Sequence, residues 1–146
     1  MIKERIILVD SDAFVALAKE DDTNHRKAQQ ILTKLSKRPV LYTTTNYVFS
    51  ETATVISQRI GRKQALSFIR ELKSPASLFS TQWIDEELES LAIQIFQDQT
   101  SKNVSFVDCT NMALMKHQRF TAIFSFDSIY RKNGLMLAGD LKISHS

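Results

Sequence analysis

The chain has 146 residues, 43% of them hydrophobic, a length and composition that suit one domain with a core built without covalent staples. Its single cysteine, Cys109, excludes an internal disulfide framework, and three histidines without ligand spacing (His25, His117, His145) argue against a Cys/His metal site. The formal charge of +3 is uneven, with 13 basic against 8 acidic groups in residues 1–73 and 6 against 8 in residues 74–146, so attraction for a polyanion is expected of the N-terminal half.

Met1-Ile2-Lys3-Glu4-Arg5 leads at once into Ile6-Ile7-Leu8-Val9, without the apolar segment and small-residue cleavage site of a signal peptide. No run is long enough to span a bilayer, and the expectation is a soluble, cytoplasmic protein. The run Ile6–Val9 is short, continuous and apolar, the pattern of a buried parallel strand, and it ends in Asp10-Ser11-Asp12. Ligands of open α/β sheets bind beyond the carboxyl ends of the strands, which puts Asp10 at the mouth of a site.

Ala13 to Ala18 reads as a short helix with Ser11 or Asp12 as its N-cap. Asp22 or Thr23 opens a second helix, apolar at Ala28, Ile31, Leu32 and Leu35, basic at Arg26, Lys27, Lys34 and Lys37, and ended by Pro39. The β-branched and aromatic Val40 to Thr44 forms a second strand. From Asn46 to Ile60, Val48, Phe49, Thr52, Val55, Ile56 and Ile60 make one helical stripe, with Glu51 beside it and no basic residue at helical spacing, so Glu51 needs a partner from elsewhere in the fold. After Gly61 a helix runs from Arg62 to Lys73, Ser77 to Thr81 is a third strand, and Asp85 caps a helix from Glu86 to Gln97. A further helix starts at Val104-Ser105, Ala122 to Phe126 is a fourth strand ending in Asp127, and Leu135 to Ala138 is a fifth. The alternation argues a single α/β domain over 1–146 with a parallel sheet.

Four acids have similar settings against apolar elements: Asp10 at the end of the first strand, Glu51 inside an apolar helix, Asp108 in the first turn of another and Asp127 at the end of the fourth strand. Each has a plainer reading as well. Asp10 can cap the helix that follows it, Ser105-x-x-Asp108 is a capping-box pattern, and Asp127 can cap from its place before Ser128. Converged at one mouth the four repel one another unless cations enter or some stay protonated, and Mg²⁺ or Mn²⁺ resolves that conflict with oxygen ligands. Two such ions can activate water and stabilise the leaving oxygen of a phosphodiester. The positive charge of residues 26–38 and 59–73, with Arg59, Arg62 and Lys63 foremost, is expected to bind the phosphates of the substrate.

The ordered set Ile7-Leu8-Val9-Asp10-Ser11, Asp21 to His25, Tyr47 to Thr52 around Glu51, Val104 to Cys109 around Asp108, Phe124 to Asp127 and Gly134 makes nearly the whole chain resemble the PIN-domain ribonucleases, in particular the VapC-like toxins of prokaryotic toxin–antitoxin pairs. The resemblance implies a five-stranded, mainly parallel sheet flanked by helices, with Asp10, Glu51, Asp108 and Asp127 as the metal site and Ser11 and Ser105 as neighbouring hydroxyls. It implies RNA as substrate, inhibition of translation, a homodimer and an antitoxin whose tail occupies the acidic groove. Asp12 stands where such proteins more often carry a small or apolar residue, as an extra ligand, a support for the ligands or a cap. Two other readings compete. Asp10-Ser11-Asp12 with Gly139-Asp140 imitates a haloacid-dehalogenase-type phosphatase, although Phe14 and the want of a phosphate lysine depart from it, and a non-catalytic nucleic-acid or protein-binding module is the third.

Overall fold

The computed structural model describes residues 4–142. Four strands, β1 (Arg5–Val9), β2 (Val40–Thr45), β3 (Phe79–Gln82) and β4 (Ala122–Phe124), form an all-parallel sheet in the order β3-β2-β1-β4. The helices are α1 (Ser11–Ala18), α2 (His25–Leu35), α3 (Asn46–Arg59), α4 (Arg62–Lys73), α5 (Glu86–Asp98), α6 (Phe106–His117) and α7 (Ile129–Lys132), followed by a 3-10 turn at Ala138–Asp140. None of the helices among the described residues is long and apolar enough to cross a membrane.

The two-residue period of the strands divides the core. Ile7 and Val9 of β1 and Ala122 and Phe124 of β4 face Phe14, Ala28, Ile31 and Leu35, whereas Leu8 and Ile123 face Leu88, Ala92, Met112 and Leu114 of α5 and α6. From Ile6 onward β1, and β4 along its whole length, are therefore apolar, as the sequence pattern of β1 required. The chain leaves β1 on one side to build β2 and β3 and returns on the other as β4, so the strand order reverses between β1 and β4. That switch point is where a doubly wound sheet opens a crevice at its carboxyl edge.

Threonines lock this edge. Buried Thr44 donates its hydroxyl to the carbonyl of Val9 at 2.9 Å, Thr45 accepts from the Val48 amide at 3.0 Å as the N-cap of α3, and the Asn46 side chain accepts from the Ile84 amide at 2.6 Å. Gly61, at φ +156°, makes the sharp break between α3 and α4, where a Cβ would meet the Gln64 side chain at 2.6 Å.

Five sequence expectations change, the first being the third strand, which starts at Phe79 rather than Ser77 and runs to Gln82. The fifth strand, Leu135 to Ala138, shrinks to one parallel bridge between Ile123 and Leu137, because the chain turns into the 3-10 helix before a second rung forms. The fourth strand stops at Phe124, two residues early, since Asp12 captures the Ser125 hydroxyl and the Phe126 amide. The N-cap of α1 is Asp10, not Ser11 or Asp12, which lie inside the first turn. The N-cap of α2 is Asn24, not Asp22 or Thr23, and Asp22 instead accepts from the Asn24 amide at 2.8 Å in the turn before it. Replacing Thr45 by Val keeps its volume and removes the α3 cap, so a loss of about 1 kcal/mol and a melting midpoint lower by a few degrees are expected in thermal unfolding.

Candidate active site

β1 delivers Asp10 to the switch point, and its amide extends the ladder by donating to the Phe124 carbonyl at 3.0 Å. Only 4% exposed, Asp10 caps α1 through Oδ1, which accepts from the Ser11 amide at 2.8 Å, while Oδ2 accepts from the Tyr130 hydroxyl at 2.6 Å. Asp108 divides its oxygens in the same way. Oδ2 accepts from the Ser105 amide at 3.0 Å and the Ser105 hydroxyl accepts from the Asp108 amide at 3.0 Å, completing a capping box, whereas Oδ1 accepts from Tyr130 at 3.1 Å. The capping readings of both acids are thus realised with one oxygen of each left for the site.

Tyr130 is one of two residues, with Ser125, that the sequence reading missed. It is fully buried on α7, takes an N–H bond from the Asn111 amide group at 3.0 Å, and touches both carboxylates with one hydroxyl. A phenol has one proton, so both contacts are satisfied together only when one carboxyl is itself protonated. The available signal was general: a buried tyrosine oxygen needs a polar partner, and Tyr130 lies three residues after Asp127.

The remaining acids are held nearby. Glu51, half-buried on α3, accepts a short hydrogen bond from the Ser11 hydroxyl, the distant partner its apolar surroundings demanded. Asp12 accepts from the Ser125 hydroxyl at 3.0 Å and the Phe126 amide at 2.7 Å, and the Ser125 hydroxyl accepts from the Asp127 amide at 3.2 Å. Asp12 therefore fastens the loop that carries Asp127. Exposed Asp127 accepts from the Ile129 amide at 3.0 Å, in a turn at the start of α7. Both features that suggested a phosphatase have other employment, because Asp140 is clamped by Arg131 through two bonds of 3.0 Å.

Electrostatics ties these groups together. Burial, then the charge of Asp12, raises the Asp10 carboxyl to about 7 against the lowering effect of the Tyr130 and Ser11 bonds, with Asp108 adding to the rise. Burial likewise raises Asp12 and Asp108, and each is raised further by Asp127. Tyr130 is pushed well above its ordinary value, first by burial and then by the charges of Asp10 and Asp108.

Among the described residues no group of three or more Asp, Glu, His or Cys side chains forms a ready-made metal cage. The donor chemistry nevertheless fits a hard divalent cation. Mg²⁺ is commonly held by one or two carboxylates, with waters and substrate phosphate completing its shell, and Asp10 and Asp108 present two such carboxylates to one shared atom. Arg59, Arg62 and Lys63 are exposed at the α3–α4 junction and do not join the acids, since Arg59 lies eight residues and about 12 Å of helix rise beyond Glu51. The large cleft of about 660 Å³ lined by Phe14, Leu32, Phe68 and Phe79 is apolar and contains none of the four acids.

The raised Asp10 carboxyl carries a pH signature. Its folded value lies above the unfolded one, so the folded state binds more protons between them and the metal-free protein loses stability as pH rises from about 4 to about 7. In EDTA, unfolding midpoints of the wild type should fall across this window and those of Asp10→Asn should fall less; parallel pH profiles would show that Asp10 is not the titrating group.

A family profile described as PIN domain matches residues 7–134. The 23S rRNA-specific endonuclease VapC20 of Mycobacterium tuberculosis, from strains CDC 1551 / Oshkosh and H37Rv alike, is 27% identical over 131 residues, covering 90% of this chain and 96% of that protein. The fold is similar to that in the crystal structure of Mycobacterium tuberculosis VapC20, a Sarcin-Ricin loop cleaving toxin, with a TM-score of 0.79, 24% sequence identity and coverage of 89% of this chain and 96% of that one. The profile takes in the span from β1 through α7, including Asp10, Glu51, Asp108, Asp127 and Tyr130, and the chain belongs to the PIN domain family.

Proposed function

We propose that the chain is a divalent-metal-dependent endoribonuclease, a VapC-like toxin built as one domain over residues 1–146. The observation that carries this reading is the Tyr130 hydroxyl hydrogen-bonded to both Asp10 and Asp108 at the switch point of the sheet. A buried carboxylate and a half-buried one converging on one atom, with no cationic side chain among the bonds they accept, suit a cation better than a structural role.

Asp10 and Asp108 hold the ion, Asp127 and Glu51 complete the anionic mouth, and Mg²⁺ or Mn²⁺ matches the all-oxygen donor set. When bound, such an ion supplies a Lewis acid that activates water and stabilises the leaving oxygen of a phosphodiester. The chain's own groups set the geometry. Ser11 orients Glu51, Ser105 fixes one oxygen of Asp108, and Asp12 with Ser125 holds the Asp127 loop. Tyr130 spaces the Asp10–Asp108 pair and acts as a positioning residue.

The substrate class follows the VapC20 relative, which is named for cleaving 23S rRNA; here an unpaired RNA loop is the favoured target, because sequence-specific readers of RNA act mostly on splayed single strands. Arg59, Arg62 and Lys63 contribute distant phosphate contacts. An antitoxin, a homodimeric state and a cytoplasmic setting complete the reading, by analogy with VapC toxins.

Cleavage of a single-stranded RNA in Mg²⁺ or Mn²⁺ is expected to stop in EDTA, and Asp10→Asn and Asp108→Asn should each lower it by roughly 100-fold or more, beyond what loss of a supporting group costs. Full activity in the purified variants, or in excess chelator, would refute the metal site. Tyr130→Phe keeps the acids and removes the spacer, so a fall of about 10-fold to 100-fold is expected, with more ion needed for half-maximal rate. An unchanged metal dependence would make Tyr130 purely structural.

A further inference from the structure

A second feature lies beside the Asp127 loop and contains none of Asp10, Glu51, Asp108 and Asp127. Between α2, the end of β4, α7 and the 3-10 turn is a cleft of about 220 Å³. Its walls are Ile31, Phe126 and Leu137, and its polar lining is Lys27, Ser125, Arg131 and Asp140. Whole small ligands occupy pockets of about 300–1,000 Å³, so this space suits one flat group of a longer molecule.

The rim sets two cations, Lys27 and Arg131, against one carboxylate, Asp140. The Lys27 ammonium lies 5.8 Å from the centre of the Phe126 ring, which brings a cation and an aromatic face to the same mouth. Arg131 donates from Nε and one terminal nitrogen to the two oxygens of Asp140, a planar clamp that fixes the guanidinium at the cleft while leaving it more than half exposed. Gly139 keeps the space open, because a Cβ there would press to 3.3 Å from Ile31. Phe126 is joined to the acid site on one side by the hydrogen bond its backbone N–H donates to Asp12 and on the other by its neighbour Asp127.

Resting on the ribonuclease reading, we propose that this cleft seats an unpaired nucleotide flanking the scissile bond, with its base against Phe126, Ile31 and Leu137 and its phosphate at Lys27 and Arg131. Aromatic stacking with a cationic rim is the general chemistry of single-strand recognition, and it selects single strands because a paired base cannot leave its stack to enter. The acid site sets where the bond breaks. The cleft sets which strands can reach it.

The test is fluorescence anisotropy of the full chain in EDTA with a labelled 12-nucleotide single-stranded RNA and with a duplex of the same length, at several salt concentrations. Phe126→Leu should weaken single-strand binding about fivefold or more and leave duplex binding unaltered. Lys27→Gln should weaken both and lower the slope of log affinity against log salt by about 0.7 for the single strand, whereas Lys102→Gln, on the loop before α6, should change neither measure beyond a small salt effect. Because Phe126→Leu also alters the loop, crosslinking of a 4-thiouridine strand to the wild type gives a second measurement, with adducts expected within residues 27–31 or 125–131. Unaltered single-strand affinity in both cleft variants, or crosslinks only elsewhere, overturns the proposal. Lys27-dependent binding of a poly-glutamate peptide with none of RNA also overturns it, making the cleft a protein site. Cleavage measured in parallel separates the two readings: its loss in Asp10→Asn beside unaltered affinity in the cleft variants removes the cleft alone, whereas its survival in Asp10→Asn removes the nuclease site and this inference with it.

Discussion

The arrangement depends on holding one buried and two half-buried carboxylates without a basic partner. Asp10, Asp12 and Asp108 accept hydrogen bonds from hydroxyls and backbone amides, and these neutral donors satisfy oxygen atoms without cancelling their charge. A lysine or arginine in the place of Tyr130 would stabilise the metal-free fold and would also compete with any cation. A phenol does neither. It leaves the pair of acids crowded, raised in pKa and predisposed to accept positive charge.

The same economy shows in the caps. Asp10 and Asp108 each commit one carboxylate oxygen to a helix start and turn the other to Tyr130, so the backbone amides that every helix leaves unsatisfied become the means of aiming the site. Side chains held in this way lose little freedom when a ligand arrives. Asp12 performs a related service at longer range, since its bonds to Ser125 and Phe126 connect α1 to the loop that bears Asp127. Removing one of these acids therefore alters both a fold contact and a charge, which is why stability in chelator and activity in metal have to be measured side by side.

Much of this could be read from the chain. The apolar runs of β1 and β4 announced a buried parallel sheet, the helix bounds from Arg62 to Lys73 and the cap at Asp85 followed from local chemistry, and Glu51 was marked by an apolar stripe with no nearby cation. Capping and convergence looked like rival explanations for Asp10 and Asp108 because a sequence shows one role per residue; a carboxylate has two oxygens, and both roles hold. Tyr130 and Ser125 escaped notice because their meaning lies in partners 120 and 113 residues away, respectively. The fifth strand failed for a similar reason. Leu135 to Ala138 has strand-like composition, yet whether it pairs depends on how far the 3-10 turn lets it run beside β4.

Charge is also layered in space. The acids lie at the crevice between β1 and β4, while Lys27 and Arg131 stand along the cleft beside the Asp127 loop. A polyanion approaching the acids alone is repelled, and one approaching the cations alone is held away from the switch point. With a cation in the crevice the two regions become continuous, because the sign at the mouth is reduced just where the phosphate chain must pass. Loading of the metal and docking of the strand are then expected to favour each other, and by thermodynamic reciprocity the strand must tighten the metal by the same factor by which the metal tightens the strand. The modest number of carboxylates converging on Tyr130 fits that coupling: a site that completes its ligand shell with the substrate's own phosphate has no need of a closed protein cage.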